Sequence, residues 1–500
     1  MTRRPLHAAT LAALATASVQ ALAASPVDTS WIRLRGDAAR RIFPTLPAPR
    51  EAAPHAGASR PLATHPVANC NDDGPGSLRD AVAAAASGDT IDLSALHCSS
   101  ITLTTGAIEV RLDDLELVGP GANRLAIDGN AADRLFIHPR GGTLRLKGFT
   151  LRRGSARAEQ FHVSGGGCIA SAGYLELYDS VVRDCYAVGI GSYGGAVYAY
   201  SLTLGNTTIV GNHARGMHAA AGTAAFGGAA FVYALQLDNS TISANLADHQ
   251  PNPGFTSYDI GGAIVAVTGG TITGSTIDSN ISDGRAGGIA TFNPLAMINS
   301  TVSGNLARND IAGGLFMRWP AALQLDNSTV TGNRSALDGG GVWLNAPGSN
   351  LRSSIVFGNS SDVGNRDNRY GALPQSVAIG GIGNVLASAS PLLTLPAGTL
   401  ASDPLLQPLA SNGGRTRTHA LRAGSPAIDA GSNALGLTND QRGDPFVRNW
   451  GHAPDIGAYE WQGGSGPGSR AAVPMLSRWA LGLLALGLLL AVRWRQRRMH

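Results

Sequence analysis

Two acidic residues lie near a basic residue in the middle of the chain, where Asp278 and Asp283 precede Arg285. A glycoside hydrolase needs two carboxylates that face one glycosidic bond at about 5–9.5 Å. A polysaccharide lyase would need a base beside several carboxylates that bind Ca²⁺, an ion that prefers oxygen ligands. We interpret the three residues as solvated turn charges. We therefore assign no catalytic residue, no metal site and no cofactor. Ca²⁺ would be expected as a cofactor only if the protein were a lyase.

Side chains that could bind a ligand lie in three long segments, residues 153–164, 213–226 and 246–260. The matching segments 281–286, 306–312 and 334–338 are shorter, so the long ones are insertions at one corner of a repeat. Insertions of this kind collect on one face, often the binding face, and loops carry function. We predict a ledge that contacts a carbohydrate or surface polymer through His213, Arg215, His218, Phe226, His249, Phe255 and Tyr258. Neutral variation in loop length is the alternative.

A second acidic group lies near the C-terminus and comprises Asp429, Asp440, Asp455 and Glu460, accompanied by Arg442 and His419. Carboxylates and arginine form strong hydrogen bonds with each other. We expect these residues to tie loops together at the end of the molecule, and a binding role is the alternative.

The element that must position these side chains is a sequence repeat. The motif of residues 206–212, NTTIVGN, recurs as NSTISAN, GSTIDSN, NSTVSGN and NSTVTGN, which end at Asn245, Asn280, Asn305 and Asn333. Gly-Gly pairs precede the copies, and their first glycines lie at 194, 227, 261, 287, 313 and 339. Such self-similarity is typical of solenoids.

A period of about 26 residues leaves no room for a helical crossover between parallel strands. It fits one coil of three short strands and three turns, with equivalent positions stacked about 4.8 Å apart. The terminal Asn of each motif should form a ladder at a turn, because Asn tolerates left-handed backbone. Gly-Gly would supply positive φ at another corner. The sequence thus predicts an all-β, single-stranded parallel β-helix of about 11 coils, right-handed by the crossover rule.

The four cysteines favour disulfide bonds. An even count in an exported chain permits disulfides, and no CxxC or paired-histidine spacing indicates a metal site. Sequential pairing, Cys70 with Cys98 and Cys168 with Cys185, closes the shorter loops. The sequence leaves the connectivity open.

The charge distribution argues against nucleic-acid binding. The formal net charge is +4, and six arginines lie at the two ends: Arg3, Arg4, Arg493, Arg495, Arg497 and Arg498. Subtracting them, +4 − 6 leaves −2 for the rest of the chain. A nucleic-acid-binding body would carry a basic patch, so we expect no nucleic-acid partner.

Both ends indicate export and anchoring. Residues 1–23 have the charged start, apolar run and small-residue cleavage site of a signal peptide. Residues 24–68 and the Gly/Ser-rich residues 463–472 have linker composition. An apolar run from Trp479 to Trp494, followed by arginines, predicts one C-terminal transmembrane helix with its basic end in the cytoplasm.

The C-terminal tail carries a family resemblance. Residues 473–500 contain Val473, Pro474, Leu476, Ser477 and Trp479, then the apolar run and the arginines. This pattern resembles the IPTL-CTERM sorting signal of Gram-negative bacteria. Met475 stands where Thr is usual. The resemblance implies a membrane partner, processing by an exosortase-type protease, and a location at the cell surface or facing the periplasm.

Three further segments resemble known families. Residues 73–82 and 88–91 resemble the opening "GSLR-x-A" segment of surface β-helix proteins, and Ser77 could cap a helix there. SDPLL at 402–406, NGG at 412–414, HAL at 419–421, GSPAIDAG at 424–431, DQRG at 440–443 and DIGAYE at 455–460 resemble a choice-of-anchor Q domain. The residues between resemble pectin-lyase-like β-helices. We therefore expect an N-terminal cap at 69–92, repeats at 93–385 and an anchor-Q-like, loop-rich domain at 386–462.

These observations predict an exported, membrane-anchored cell-surface protein. Its expected role is non-catalytic adhesion, display or surface-polymer binding. The alternative is a polysaccharide lyase or glycoside hydrolase, because pectin-lyase-like folds host both enzymes and non-catalytic surface proteins.

Overall fold

A computed structural model describes residues 62–158, 163–217, 224–250, 259–318, 320–344, 347–363, 368–370, 377–387 and 393–463. The predicted signal peptide, the sorting tail 473–500, His218, Phe255 and Tyr258 lie outside these residues. One compact unit ends at Trp461, and residues 462–500 form a second, of which only residues 462 and 463 are described. All elements below belong to the first unit.

Sheet A is the largest of three sheets that run along the molecule. Its 19 strands pair only in parallel, each with its equivalent in the next coil. They are Thr64–Pro66, Thr90–Asp92, Ile108–Glu109, Leu115–Val118, Phe136–His138, Thr143–Lys147, Ile169–Tyr178, Val197–Gly205, Ala230–Asp238, Ile264–Ala266, Gly270–Thr273, Ile289–Thr291, Leu295–Ile298, Leu315–Met317, Leu323–Asp326, Val342–Leu344, Asn350–Arg352, Asn368–Tyr370 and Gly380–Ile382.

Sheets B and C form the other two long faces. Sheet B has one strand per coil: Ser100–Thr102, Ala126–Asp128, Thr150–Arg152, Val181–Arg183, Thr208–Val210, Thr241–Ser243, Thr276–Asp278, Thr301–Ser303, Thr329–Thr331, Ile355–Val356 and Val385–Leu386. Sheet C comprises Ser155–Arg157, Tyr186–Gly189, His213–Gly216, Leu246–His249, Ile281–Ser282, Leu306–Ala307, Arg334–Ser335 and Ser360–Ser361. Eleven strands in sheet B agree with the predicted number of coils.

Two small sheets and one helix complete the regular structure of the described residues. Sheet D comprises Val163–Gly165, Gly191–Tyr193 and Ala224–Phe226, and Val377–Ala378 pairs with Leu393–Thr394. The helix is Leu78–Ala84. None of the described helices is long and apolar enough to cross a membrane.

The core lies inside the coils, where alternate residues of each strand point inward. In sheet B, Ile209, Ile242, Ile277, Val302 and Val330 are fully buried and pair coil by coil. β-branched residues suit such a pleated surface. The repeat motif therefore places one aliphatic side chain per coil at the same point of a continuous core.

The predicted Asn ladder is confirmed, with a correction to its backbone. In each step, the Asn Nδ2 donates to the Oδ1 of the Asn in the next coil, at 2.9 Å for Asn212 and 2.8 Å for Asn245. Positive φ occurs at two other positions of the motif. One is its first residue, for example 50° at Asn206, and the other is the residue just before the terminal Asn, for example 67° at Gly211 and 53° at Ala244. The terminal Asn acts through its amide, and left-handed bends lie on both sides of the strand.

The N-terminal residues contain the expected helix and an unexpected strand. Ser77 caps Leu78–Ala84 by accepting a hydrogen bond from the Asp80 N–H at 3.1 Å. Thr64–Pro66 pairs with Thr90–Asp92, so a strand lies inside the stretch predicted as linker 24–68. The first coil starts earlier than predicted because this strand adds in register to the end of sheet A.

The C-terminal segment, defined here as residues 400–461, lies along sheet B. Arg417 forms an ion pair with Asp278 at 2.6 Å, and Thr301 Oγ1 donates to Gln441 Oε1 at 2.6 Å. Farther along, the Gly457 N–H donates to the Ser353 carbonyl at 2.8 Å. The acids of the segment were expected to tie loops together at the end of the rod, and only this location is wrong. The segment lies beside several coils because the outer Thr, Ser and Asp side chains of sheet B offer it partners.

Two disulfide bonds, Cys70–Cys98 and Cys168–Cys185, confirm the sequential pairing. Each bond joins neighbouring parts of the first coils. The described residues contain no free cysteine.

Candidate functional site

The ends of two of the long insertions that predicted the ledge, 153–164 and 213–226, contribute strands to sheet D, and Gly191–Tyr193 lies between them. Isolated parallel bridges continue this line from Phe226 to Ile260 and then to Arg285. Phe226 is 2% exposed, and its ring stacks on Tyr193 with 5.1 Å between the ring centres. The prediction that Phe226 contacts a ligand is therefore wrong. Apolar rings at this position attach the insertion to the rod.

Aromatic residues on the outer face of sheet A complete this attachment. Phe231 contacts Tyr193 edge to face at 5.0 Å and stacks on Tyr198 at 5.9 Å. The neighbouring Tyr174 is 40% exposed and contacts Tyr200 at 6.0 Å. The sequence analysis did not identify these rings as a group, because they come from different coils.

Beside sheet D, polar side chains from four coils meet in what we call the His–Asp corner, which comprises His213, Arg215, Asp248, His249, Asp259, Asp283 and Arg308. It contains two histidine–carboxylate pairs. His213 Nε2 lies 2.7 Å from Asp248 Oδ1, and His249 Nδ1 lies 2.7 Å from Asp259 Oδ2. Arg215 Nε lies 3.5 Å from Asp248 Oδ1. Three predicted ledge residues, His213, Arg215 and His249, are thus brought together.

The register of sheet C explains this grouping. Arg215 pairs with Asp248 across adjacent strands. The pairing of Ala247 with Ser282 and of Ser282 with Ala307 places the next residues, Asp283 and Arg308, in the same line. Successive coils are about 4.8 Å apart. The outer surface therefore carries a row in the order Arg215, Asp248, Asp283, Arg308.

The carboxylates of the corner differ in how deeply they are buried. Burial raises the pKa of Asp259, which is fully buried, although His249 and the Ala225 N–H donate to it. The hydrogen bond to Asp259 raises the pKa of His249, and the charges of Asp283 and Asp248 act in the same direction. Asp283 instead accepts a hydrogen bond from Arg308 at 2.9 Å.

The carboxylates of the corner do not form the pair that glycosidic hydrolysis requires. Asp259 is inaccessible to a glycosidic oxygen, and Asp248 and Asp283 are each held by a basic side chain. A hydrolase needs both carboxylates to face the substrate. The outer row can instead offer hydrogen bonds at regular intervals along the rod.

The acidic group considered first in the sequence is divided between two faces. Asp278 is buried on sheet B and pairs with Arg417, whereas Asp283 belongs to the corner. Arg285 pairs with Asp310 at 2.7 Å. No joint site of Asp278, Asp283 and Arg285 is formed, because the chain turns from sheet B to sheet C between the two acids.

The acids of the C-terminal segment hold that segment together. Arg442 binds Asp440 at 2.6 Å and lies between the rings of Phe446 and Tyr459, 3.8 and 3.9 Å from their centres. The predicted Asp–Arg hydrogen bonding is confirmed at this pair.

Two further carboxyl groups of the segment are also buried. Burial raises the pKa of Glu460 to about 8 and that of Asp455 to about 6. Glu460 accepts hydrogen bonds from the N–H groups of Trp450 and Asp455, both at 2.9 Å. The backbone of the segment itself therefore occupies these carboxyl groups. His419 contacts Ser303 on sheet B at 2.8 Å.

Within the described ranges, one group of side chains has the spacing of metal ligands. One ligand atom each from His249, Asp259 and Asp283 lies within 4.8 Å of the others. The sequence predicted no metal site at these residues, because they form no local motif and Asp283 belongs to the next coil.

The chain is a parallel β-helix. This conclusion rests on its own strand pairing, and right-handedness is the hand that the crossover rule gives. No protein-family model and no curated protein matches the chain. Among solved structures it is similar to the pectate lyase Pel9A, with a TM-score of 0.43, 12% identity and coverage of 80% of this chain and 96% of that one. A PL6 family alginate lyase, AlyGC, matches with a TM-score of 0.27, 13% identity and coverage of 71% and 56%.

Proposed function

We propose that this protein is exported, anchored in the membrane by residues 473–500, and binds a surface polysaccharide or similar polymer at the His–Asp corner without cleaving it. The sequence features of both ends and the two disulfide bonds support export. The IPTL-CTERM-like tail supports processing by an exosortase-type protease.

The observation that carries the binding role is the row of Arg215, Asp248, Asp283 and Arg308. An extended polymer that lies along the rod would meet one charged side chain about every 4.8 Å. Hydrogen bonds that involve a charged group are stronger than neutral ones and contribute about 1.5–3 kcal/mol. In the sequence, Phe255 and Tyr258 lie between His249 and Asp259 of the corner, and we propose that their rings stack on sugars.

A polysaccharide lyase or hydrolase is the second candidate function. The observation in its favour is that Asp259 orients the imidazole of His249, as an acid does for a catalytic histidine. The pairing of Arg308 with Asp283 argues against it, because a carboxylate that already binds an arginine is a poor nucleophile or general base. The half-exposed guanidinium of Arg308 still has further N–H groups that can donate to a ligand.

The experiment is to incubate the purified full chain with a panel of acidic and neutral polysaccharides, with and without Ca²⁺. Polymer size and co-elution are followed by chromatography. We expect co-elution with at least one polymer of unchanged length. Shortening of a polymer would establish the enzyme, and absence of binding across the panel would overturn the polymer-binding role.

Matched variants then locate the binding. The double variant Arg215→Ala, Arg308→Ala should weaken polymer binding at least ~10-fold, since two charged hydrogen bonds are lost. Arg334→Ala is the control, because Arg334 also lies on sheet C and pairs with Asp362 at 2.9 Å, outside the row. Equal binding by both variants would place the polymer elsewhere. Phe255→Ala with Tyr258→Ala tests the insertion in the same way.

A further inference from the structure

We propose that His249, Asp259 and Asp283 bind a divalent transition-metal ion of the Zn²⁺ type. This site requires no polymer, so it stands independently of the function proposed above.

Three potential ligand atoms lie close together. His249 Nδ1 lies 2.7 Å from Asp259 Oδ2 and 3.9 Å from Asp283 Oδ2. Ligands at about 2.0–2.2 Å from a tetrahedral Zn²⁺ lie ~3.4 Å from each other. One observed separation is about 0.7 Å shorter and the other about 0.5 Å longer than this value, and all three ligand atoms lie within 4.8 Å of one another. Side-chain rotations that move these atoms by less than about 1 Å would adjust the two measured separations.

The second oxygen of each carboxylate is held by a group outside the cluster. Asp259 Oδ1 accepts the Ala225 N–H at 2.7 Å, and Asp283 Oδ1 accepts from Arg308 Nη1 at 2.9 Å. Both Oδ2 atoms thereby turn toward His249. Outer hydrogen bonds of this kind orient the ligands of metal sites. The corner thus contains anchored ligands and not merely acidic side chains that lie close together.

The donor set selects the class of ion. Ca²⁺ takes six to eight oxygen ligands, and Mg²⁺ an octahedron of oxygens. One imidazole with two carboxylates suits a smaller, borderline ion such as Zn²⁺, and three protein ligands leave a fourth position for water or another ligand. Because the ligands come from different coils, the ion would join the two ends of the insertion 251–258 to the next coil.

The test uses the full chain, freed of metal with a chelator and then dialysed. Zn²⁺ binding is measured by titration calorimetry, and Co²⁺ serves as a spectroscopic probe. We expect one equivalent of Zn²⁺ to bind and Co²⁺ to give the visible bands of a four-coordinate site. Absence of saturable binding, or a purely oxygen-ligated octahedral Co²⁺ spectrum, would overturn the proposal.

Variants assign the site. Asp283→Asn retains the buried His249–Asp259 pair, so the chain should still fold, and Zn²⁺ affinity should fall at least ~100-fold. Arg308→Ala should weaken it ~10-fold by releasing Asp283. His213→Gln is the matched control, since His213 has an equally short carboxylate contact but no third ligand. Unchanged affinity in Asp283→Asn, or equal loss in His213→Gln, would contradict the assignment. Circular dichroism verifies folding.

Discussion

At the residue scale, the buried amides of the Asn ladder link consecutive coils. Asn305 Oδ1 accepts from the N–H and the Nδ2 of Asn280, at 3.0 and 2.9 Å. Its own Nδ2 donates to the Ile277 carbonyl at 3.0 Å and to Asn333 Oδ1 at 2.9 Å. A side chain that makes four buried hydrogen bonds cannot be removed without leaving several groups unpaired.

We therefore expect Asn305→Ala to lower the free energy of opening of this coil by about 4 kcal/mol. Each buried group left without a partner costs about 1–3 kcal/mol. Amide hydrogen exchange in Thr276–Asp278 and Thr301–Ser303 measures this opening.

The control for this prediction is Asn309→Ala. Asn309 is exposed and donates one hydrogen bond, to the Asp283 carbonyl at 2.9 Å. Its removal should change the exchange of the same strands by less than about 1 kcal/mol. If both variants exchanged alike, the ladder would not be the interaction that holds these coils together.

At the element scale, the sequence predicts the repeated strands and turns of the coils, but it does not predict how the insertions and the C-terminal segment pack against them. The motif that ends at Asn245 or Asn280 predicts a strand and a turn in each coil, because every copy shows the same alternation. The insertion before Phe226 was expected to be a ligand-binding loop, but its last residues pair with the equivalent residues of the two preceding coils as sheet D. Strand pairing between insertions depends on neighbouring coils and leaves no periodic signal in one sequence.

The corner was predicted in part. His213, Arg215 and His249 were identified from the insertions, but Asp259 and Asp283 were not connected with them. Their proximity follows from the register of sheet C, which depends on loop lengths. The docking of the C-terminal segment on sheet B was not predicted for a similar reason. No local sequence pattern around Arg417 or Gln441 indicates which coil they contact.

Gln441 is the side chain that best tests this docking. It is buried, its Oε1 accepts from Thr301, and its Nε2 donates to Thr276 Oγ1 and Thr416 Oγ1, both at 2.9 Å. Gln441→Leu should raise the rate of hydrogen exchange in residues 400–461 at least ~10-fold, because about 1.4 kcal/mol or more of buried hydrogen bonding is lost. Strands far from the segment, such as Ser100–Thr102, should be unaffected.

Gln407→Leu provides the comparison, since Gln407 lies in the same segment but its side chain is exposed. We expect native exchange rates in this variant. Equal acceleration by both variants would show that substitution within the segment, and not loss of the contact with sheet B, is responsible.

At the scale of the whole molecule, the coils form a one-dimensional stack to which the C-terminal segment adds long-range contacts. In a solenoid, each repeat contacts only its neighbours, so stability is close to a sum of local terms. The described hydrogen bonds between the segment and the coils on the side of sheet B extend from Ser243 to Leu386. Deletion of a coil inside this range should therefore affect the C-terminal segment as well as the neighbouring coils, whereas deletion of a coil outside it should affect only the neighbouring coils.

Deleting one coil outside this range should be tolerated, and deleting one inside it should detach the C-terminal segment. Removal of residues 186–212 joins equivalent positions and keeps both disulfide bonds. Removal of residues 306–333 also joins equivalent positions, but it eliminates Thr329, which accepts the Ala458 N–H at 3.0 Å. It also moves Ser353 about 4.8 Å toward Thr301, whereas the spacing of the partners in the segment stays fixed.

Circular dichroism should show a folded β-rod for both deletions, and hydrogen exchange of residues 400–461 should be native-like only for the first. Equal protection in both would mean that docking of the segment does not depend on Thr329 or on the spacing of its partners along the rod. Loss of the rod in both would contradict the additive stack.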